Sequence, residues 1–285
     1  MADSIDVSVV IPARDAALTL RDQLDGLANQ TYGGSWEVIV ADNGSTDETV
    51  QEARRFADRL PLRVIDASAR KGPGAARNIG TEVANGQMIV FCDADDVVAS
   101  GWLDGHVRSL SRARLSTGPT QYFVGETAPT AEDIPDRGPM HFLGSTPFAS
   151  TNNLGVRRTT MEELGGFRES LHHGEDIDLC LRASVRGYHL GWDPEAAVRV
   201  RQRTALSSVA RQFFAYGRSE VTVYRLHRDT AVPVVPIRRM LWPSVLVLAT
   251  LPRLLSRSRR RSWVQSASRH VGRLVGSIEN RTLLL

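Results

Sequence analysis

The sequence predicts an α/β fold, a mixed but mainly parallel sheet with helices on both faces and a helical extension at its C-terminal end. Three observations carry this. The runs 6–12 (DVSVVIP), 36–41 (WEVIVA) and 88–92 (MIVFC) are continuously apolar rather than alternating, as strands buried on both faces are, and a shorter run lies at 62–66. Segments with helical spacing separate these runs, and such alternation closes as a right-handed parallel sheet. Polar residues follow the runs immediately, where ligands of open α/β sheets bind.

Pro12 ends the first strand, Ala13, Arg14 and Asp15 form the loop after it, and apolar positions recur at helical spacing through 18–27. The second strand is followed by Asp42, Asn43, Gly44 and Ser45; Ser45 with Glu48 matches a capping box and predicts a helix over 46–60. The third strand leads into 70–80 (RKGPGAARNIG). Its glycines let backbone approach a ligand closely, the helix from Ala75 offers free N–H groups suited to phosphate, and Lys71 and Arg77 add charge. The spacing is not GxxxxGK[ST], which excludes a Walker-type phosphate loop.

The fourth strand delivers Asp93, Ala94, Asp95 and Asp96. Hard divalent cations such as Mn²⁺ or Mg²⁺ take oxygen ligands, and Asp-x-Asp at a strand end sets two carboxylates toward one side. The same residues suit turns and helix N-caps, so the tetrapeptide alone leaves both readings open.

Prolines and glycines break residues 117–148; a strand is predicted at 121–126 and an acidic loop at 132–136, and loops this long in a compact domain are usually functional or disordered. A return strand follows Asn152 and Asn153, then a short helix from Thr159 or Thr160. Gly174, Glu175 and Asp176 open a helix over 176–186, where the acidic pair suits either catalysis or the helix dipole. His172 and His173 are adjacent and have no further ligand at a metal-binding spacing, so they read as solvent-exposed or site-lining. In the predicted helix 206–226, Phe213, Phe214, Tyr216 and Tyr224 alternate with arginines, as an aromatic and basic binding platform or a packing face.

At 285 residues the chain suits one large α/β domain with an appendage or two small ones. Cys92 and Cys180 have no CxxC partner and read as buried thiols of a reducing compartment; with no N-terminal signal visible, the expected location is cytoplasmic. Net charge is +3, yet residues 199–285 hold 17 Arg and 3 acidic residues, or +14, leaving −11 elsewhere. The apolar run 240–255 is interrupted by Pro243 and Pro252 and falls short of the ~20 residues that span a bilayer. Bracketed by arginines, it fits an element lying on an anionic membrane surface, a buried helix pair or a homodimer contact. Nucleic acid is not an expected partner.

The succession VSVVIPARD, VIVADNGSTDET, GPGAARNIG and FCDADD, followed by GGF (165–167) and GEDIDL (174–179) with Arg182 and Gly187, resembles glycosyltransferase family 2 over residues 7–201. The resemblance implies a GT-A fold, with a catalytic domain at 1–203 (a nucleotide-sugar half, 1–96, and an acceptor half, 97–203) and a basic helical extension at 204–285. It implies a nucleoside-diphosphate sugar, UDP-linked by preference, as donor. Pro12, Ala13 and Asp15 would line the nucleoside pocket, Asp42 would bond the base, and Arg77 would offset the diphosphate. Asp93 would touch the ribose and Asp95 would hold a divalent cation; Arg14, Gly44, Lys71, Gly74, Asn78 and Ala94 complete the donor side. Asp176 becomes the general base of an inverting transfer to an acceptor hydroxyl, with Glu175 orienting the acceptor or the base. Asn152, Asn153, His172 and His173 fall on the acceptor side. Many family members carry a histidine near the strand 196–201; here Arg199 and Arg201 stand there, so the metal has fewer protein ligands or an arginine meets phosphate. The QxxRW signature of processive members is absent, which favours addition of one or a few sugars. Cell-envelope polysaccharide, glycolipid or natural-product glycosylation fits this reading; a polyprenyl-phosphate acceptor and a catalytically silent nucleotide-sugar-binding protein are its alternatives.

Overall fold

The four apolar runs of the N-terminal half become parallel neighbours in one seven-stranded sheet. In the computed structural model, which describes residues 5–125, 135–232 and 245–284, β1 (Val7–Ala13), β2 (Trp36–Asp42), β3 (Leu62–Asp66) and β4 (Met88–Phe91) lie in the spatial order β4-β1-β2-β3. Ala13 pairs with Asp42, and Asp42 with Asp66, so three strands end level and their loops meet at one edge. Alternate β1 residues serve opposite faces, as the pleat requires. Val7, Val9 and Ile11 pack with Leu20, Leu24 and Leu27 of α1 (Leu20–Ala28), whereas Val10 joins Ile39, Ile89 and Phe91 beneath Phe167 and Leu179.

The helix expected at 46–60 is shorter: α2 spans Thr49–Arg54, and the Ser45–Glu48 capping box does not form. Ser45 Oγ instead accepts the Asp15 N–H at 3.0 Å and Thr49 Oγ1 accepts the Ala16 N–H at 2.7 Å. These hydroxyls close the β1–α1 loop, which leaves them unable to cap their own helix. α3 (Pro73–Val83) starts two residues before the expected Ala75, with proline in its first turn, where a missing N–H costs nothing.

The second half adds β5 (Val97–Val98), α4 (Trp102–Arg112), β6 (Leu115–Thr117), β7 (Thr120–Phe123), β8 (Met140–Phe142), β9 (Thr146–Phe148) and β10 (Leu154–Arg157). The predicted return strand is β10; it runs antiparallel to both β4 and β6, which makes the sheet mixed. α5 (Arg158–Leu164), α6 (Glu175–Val185) and β11 (Leu190–Trp192) follow, and β12 (Val198–Arg201) pairs with β7 and β5 in a separate three-stranded sheet. The predicted acidic loop lies mostly outside the described residues.

α7 (Leu206–His227) and α8 (Arg257–Asn280) form the C-terminal helices. They touch backbone to backbone: a β-carbon on Gly217 would overlap the Arg269 carbonyl, and one on Gly272 the Phe214 carbonyl. Glu220, buried in that contact, pairs with Arg269 and with Arg273 Nε at 2.7 Å. Part of the apolar run 240–255 lies outside the described residues; in the rest, Val245, Leu246, Leu248, Leu251 and Leu255 are exposed. No helix among the described residues is long and apolar enough to cross a membrane.

Candidate active site

β4 runs out at Phe91, and Cys92 is buried, so the first side chains free to leave the sheet are Asp93, Asp95 and Asp96. Each offers a carboxylate oxygen, and the three oxygens lie within 4.8 Å of one another. Burial and the Asp93 charge push the Asp95 carboxyl up to about 6, although Asp95 itself opens to the cleft. The same two causes, with the Asp95 charge, raise buried Asp96 well above its ordinary value. The Arg201 backbone N–H donates to Asp96 Oδ1 at 3.0 Å and the Asn152 side chain bonds the same carboxylate. Three crowded carboxylates and no sulfur or imidazole in the set fit a hard divalent cation. Asp96, the third carboxylate, was not among the expected ligands; its signal in the sequence was only the doubling of the Asp-x-Asp motif.

These raised carboxyls yield a measurable consequence. A carboxyl that protonates more readily folded than unfolded stabilises the fold at low pH and loses that contribution as pH rises through the folded value. Metal binding reverses the loss by supplying the missing counter-charge. Mn²⁺ is therefore expected to raise the melting temperature more at about pH 8 than at about pH 5, and Asp95→Ala to remove the difference, as read by differential scanning fluorimetry.

Arg77, on the inner face of α3, links this triad to the second acidic group. It is 3% exposed, with Nη2 2.6 Å from Asp93 Oδ1 and Nη1 2.9 Å from Glu175 Oε1. Expected beside the diphosphate, it instead joins two carboxylates 82 residues apart in the chain. Asp176 follows at the first turn of α6, half-buried, its Oδ1 accepting its neighbour Ile177's N–H at 2.7 Å. Burial raises both carboxyls of the pair. Glu175 is pushed up to about 7, with the Asp176 charge adding to burial and Arg77 opposing it, and Asp176 is held above its ordinary value against the pull of backbone N–H groups and Arg77.

Other expected donor residues turn out to hold the frame. Gly74 faces Glu175 and Phe167, where an added β-carbon would already stand 3.6 and 3.7 Å from their side chains. Asn78 accepts the Phe167 N–H at 2.9 Å and donates to the Phe167 carbonyl at 2.9 Å, locking the 165–167 turn onto α3. Asp15, at φ 49°, accepts the Thr46 N–H at 2.7 Å, and these contacts hold its carboxyl below the ordinary range. Asp42 turns back onto the Ser45 N–H at 3.2 Å, and Gly44 takes φ 81°. Pro12 and Ala13 lie beside them at the end of β1, Arg14 is exposed there, and Ala94 is buried between the aspartates. Asn43, missed in the sequence, is buried and gathers the loop ahead of α3: it donates to the Ala67 and Arg70 carbonyls at 2.6 and 2.8 Å and accepts the Gly72 N–H at 2.9 Å. Lys71 lies exposed on that loop.

On the acceptor side, Asn153 is 1% exposed, and its amide is taken up by Trp102, His106 and the carbonyls of Gly118 and Ala196, so it has nothing left for an acceptor. Burial brings His106, in that network, down to about 4, hence neutral. His172 and His173 are exposed as expected, and the His173 ring meets Tyr216 of α7 edge-on at 5.6 Å, with Phe213 5.6 Å beyond. That contact sets Tyr216 of α7 beside the residues that lead into α6; Tyr224, by contrast, is core. Arg201 does not reach into the cleft as a free cation: Nη2 pairs with Asp22 at 2.6 Å, Nη1 donates to the Gly125 carbonyl at 2.6 Å and Nε to the Asp95 carbonyl at 3.2 Å.

Residues 8–164 match the model of glycosyl transferase family 2, and residues 88–268 that of glycosyl transferase family group 2. The chain is 28% identical over 263 residues to glycosyltransferase AglE of Haloferax volcanii, covering 90% of this chain and 86% of the relative. It is 30% identical over 243 residues to the pre-mycofactocin glycosyltransferase of Mycobacterium tuberculosis, covering 81% of this chain and half of that longer protein. In structure it is similar to the Pyrobaculum calidifontis mannosyltransferase PcManGT in complex with GDP-Man and Mn²⁺ (TM-score 0.69, 17% identity, 96% of this chain and 86% of that one). It is also similar to Staphylococcus aureus TarS 1–349 in complex with UDP-GlcNAc (TM-score 0.58, 15% identity, 98% and 93%).

Proposed function

The chain belongs to glycosyltransferase family 2 and has the GT-A fold, and from that premise we propose that it transfers a sugar, with inversion, from a nucleoside-diphosphate sugar to an acceptor hydroxyl. The single observation that carries the reading is the pair of acidic groups, Asp93/Asp95/Asp96 and Glu175/Asp176, joined through buried Arg77. One group suits the leaving diphosphate and the other the incoming hydroxyl. Residues 1–203 are the catalytic unit in this reading.

In the proposed step the bond from the anomeric carbon to the distal phosphate oxygen breaks and its electron pair stays on that oxygen. The acceptor oxygen bonds the anomeric carbon from the opposite face, and its proton passes to Asp176. A base held above the ordinary carboxylate range by burial is better matched to that proton than a solvated aspartate. Glu175, gripped by Arg77, orients the pair. Asp93, Asp95 and Asp96 would hold a divalent cation, Mn²⁺ or Mg²⁺, which when bound neutralises charge on the leaving group. A UDP-sugar is the favoured donor.

The proposed setting is the inner face of a membrane, reached peripherally. The exposed apolar residues at 245–255, interrupted by Arg253 and followed by Arg259, Arg260 and Arg261, support contact with an anionic surface, and with it a glycolipid, envelope-glycan or polyprenyl-phosphate acceptor. The test is a panel of UDP-, GDP- and dTDP-sugars with and without Mn²⁺ or Mg²⁺, reading nucleoside diphosphate release and calorimetric binding. One donor is expected to react, with release lost in Asp95→Ala. Silence of every donor in both assays would sink the reading in favour of a scaffold.

A further inference from the structure

A cavity of about 310 Å³ opens between the β8–β9 hairpin and α8 and shares no lining residue with the aspartate cleft. Ser266, Arg269, His270 and Arg273 line one side of it; His141 and the turn at Leu143 and Gly144 line the other. We propose that this cavity is a second ligand site, one that binds a phosphate group between the arginines of α8 and His141 of the hairpin.

The sequence builds both walls. The four residues of α8 stand at i, i+3, i+4 and i+7, so they share one face of the helix. On the hairpin, Phe142 is buried with Leu181 of α6 and Val221 of α7, and the pleat turns its neighbour His141 outward. Buried Glu220 of α7 pairs with Arg269 and with Arg273 Nε at 2.7 Å, which fixes both guanidinium groups. Two guanidiniums against one carboxylate leave a full positive charge, and among the described residues no carboxylate lines the cavity. Burial and the Arg273 charge hold His270 below its ordinary value, the mark of a positive neighbourhood.

A tetrahedral oxyanion suits this set. A guanidinium fork can take two phosphate oxygens at once, and a serine hydroxyl and an imidazole N–H add further donors. The cavity lies at the small end of the range for ligand sites, with room for the phosphate and a short piece of what it esterifies. Trp263 Nε1 donates to the Val247 carbonyl at 3.2 Å and Arg260 Nε to the Leu254 carbonyl at 2.8 Å, so the exposed apolar segment at 245–255 is tied to the first turns of α8. Ser266 follows Trp263 by about one turn. A lipid phosphate at a surface touched by that segment and a soluble phosphomonoester therefore offer the site the same chemistry.

The experiment titrates the full chain calorimetrically with inorganic phosphate and with glycerol 3-phosphate, in EDTA so that no cation bridges phosphate to the aspartate triad. In parallel, the chain is floated with phosphatidylcholine vesicles carrying phosphatidic acid or phosphatidylserine at matched surface charge. Ser266→Asp sets a carboxylate in the cavity from an exposed position, and it is expected to weaken phosphate binding about tenfold or more at an unchanged melting temperature. Arg269→Gln should weaken it as well, while also loosening Glu220. Asp95→Ala should leave it within about twofold, which separates this site from the donor cleft. A preference for phosphatidic acid that Ser266→Asp abolishes assigns the site to a lipid headgroup; binding of the soluble phosphates with no vesicle preference assigns it to a free phosphomonoester. Phosphate affinity unchanged in Ser266→Asp, or vesicle binding that follows surface charge alone with no binding of either soluble phosphate, would overturn the proposal.

Discussion

Asp176→Asn is expected to lower turnover by about 10²–10⁴-fold, the range ordinarily lost with a positioned general base, while leaving nucleoside diphosphate affinity nearly unchanged. The substitution keeps the shape of the side chain at the start of α6 and removes only its ability to take a proton. Wild-type rate should also fall as pH drops, because both members of the pair must be ionised and both are raised, Glu175 to about 7. The acid limb of the kcat/KM profile should accordingly lie above the range of a solvated carboxylate. In Asp176→Asn, Glu175 loses the neighbouring negative charge that helps to raise it, so any residual activity should carry a limb displaced to lower pH. A variant with wild-type turnover would falsify the base assignment; a large rise in the dissociation constant for the nucleotide would move Asp176 to the donor side.

The second large effect concerns stability. Asp178 has no exposed surface and receives Arg182 Nη2 at 2.8 Å, His227 Nε2 at 2.8 Å and, more distantly, Arg168 Nε at 3.5 Å. Arg182 also donates to the Gly166 carbonyl at 2.8 Å, so one buried carboxylate joins α6, the end of α7 and the turn after α5. Asp178→Ala leaves a buried guanidinium and imidazole without their acceptor and is expected to cost about 3–5 kcal/mol, measured by urea unfolding. Asp178→Asn, which keeps one acceptor oxygen, should cost less. The Asp178 carboxyl lies below its ordinary value because His227 and the arginines outweigh burial. A lowered carboxylate contributes stability above its unfolded pKa and loses it as pH falls through the folded one. Wild type should therefore show an acid loss below about pH 4 that Asp178→Ala lacks, opposite in sign to the effect of the raised aspartates near pH 6. If the alanine variant unfolds at the wild-type urea midpoint, the triad of ion pairs contributes nothing to the fold.

Much of the chain could be read before folding. The β-branched runs at 7–13, 36–42, 62–66 and 88–91 carry their own strand signal, and helices α1, α3, α6 and α7 fall within about two residues of their predicted starts or ends. The acidic residues at 93–96 and 175–176 stood out at a strand end and a helix start, where turn, capping and dipole roles were open as well, and only the resemblance turned them toward a site. The family follows from those motifs in order, since each is weak singly and specific in combination.

What the residues do to one another was decided only in three dimensions. Arg77 looked like a phosphate ligand because it opens a helix in a glycine-rich loop, but the end of β4 brought Asp93 to it and the packing of 165–175 onto α3 brought Glu175. Ser45 looked like a cap, yet its hydroxyl closes a loop 30 residues away. Asn153 stood beside the expected acceptor strand and became a buried hub. Composition and spacing determine which elements form, because hydrophobic periodicity and backbone hydrogen bonding act within a few residues. The partner of each charge and hydroxyl is chosen by contacts across 29 to 98 residues, where the cost of leaving a buried polar group unpaired outweighs any local preference.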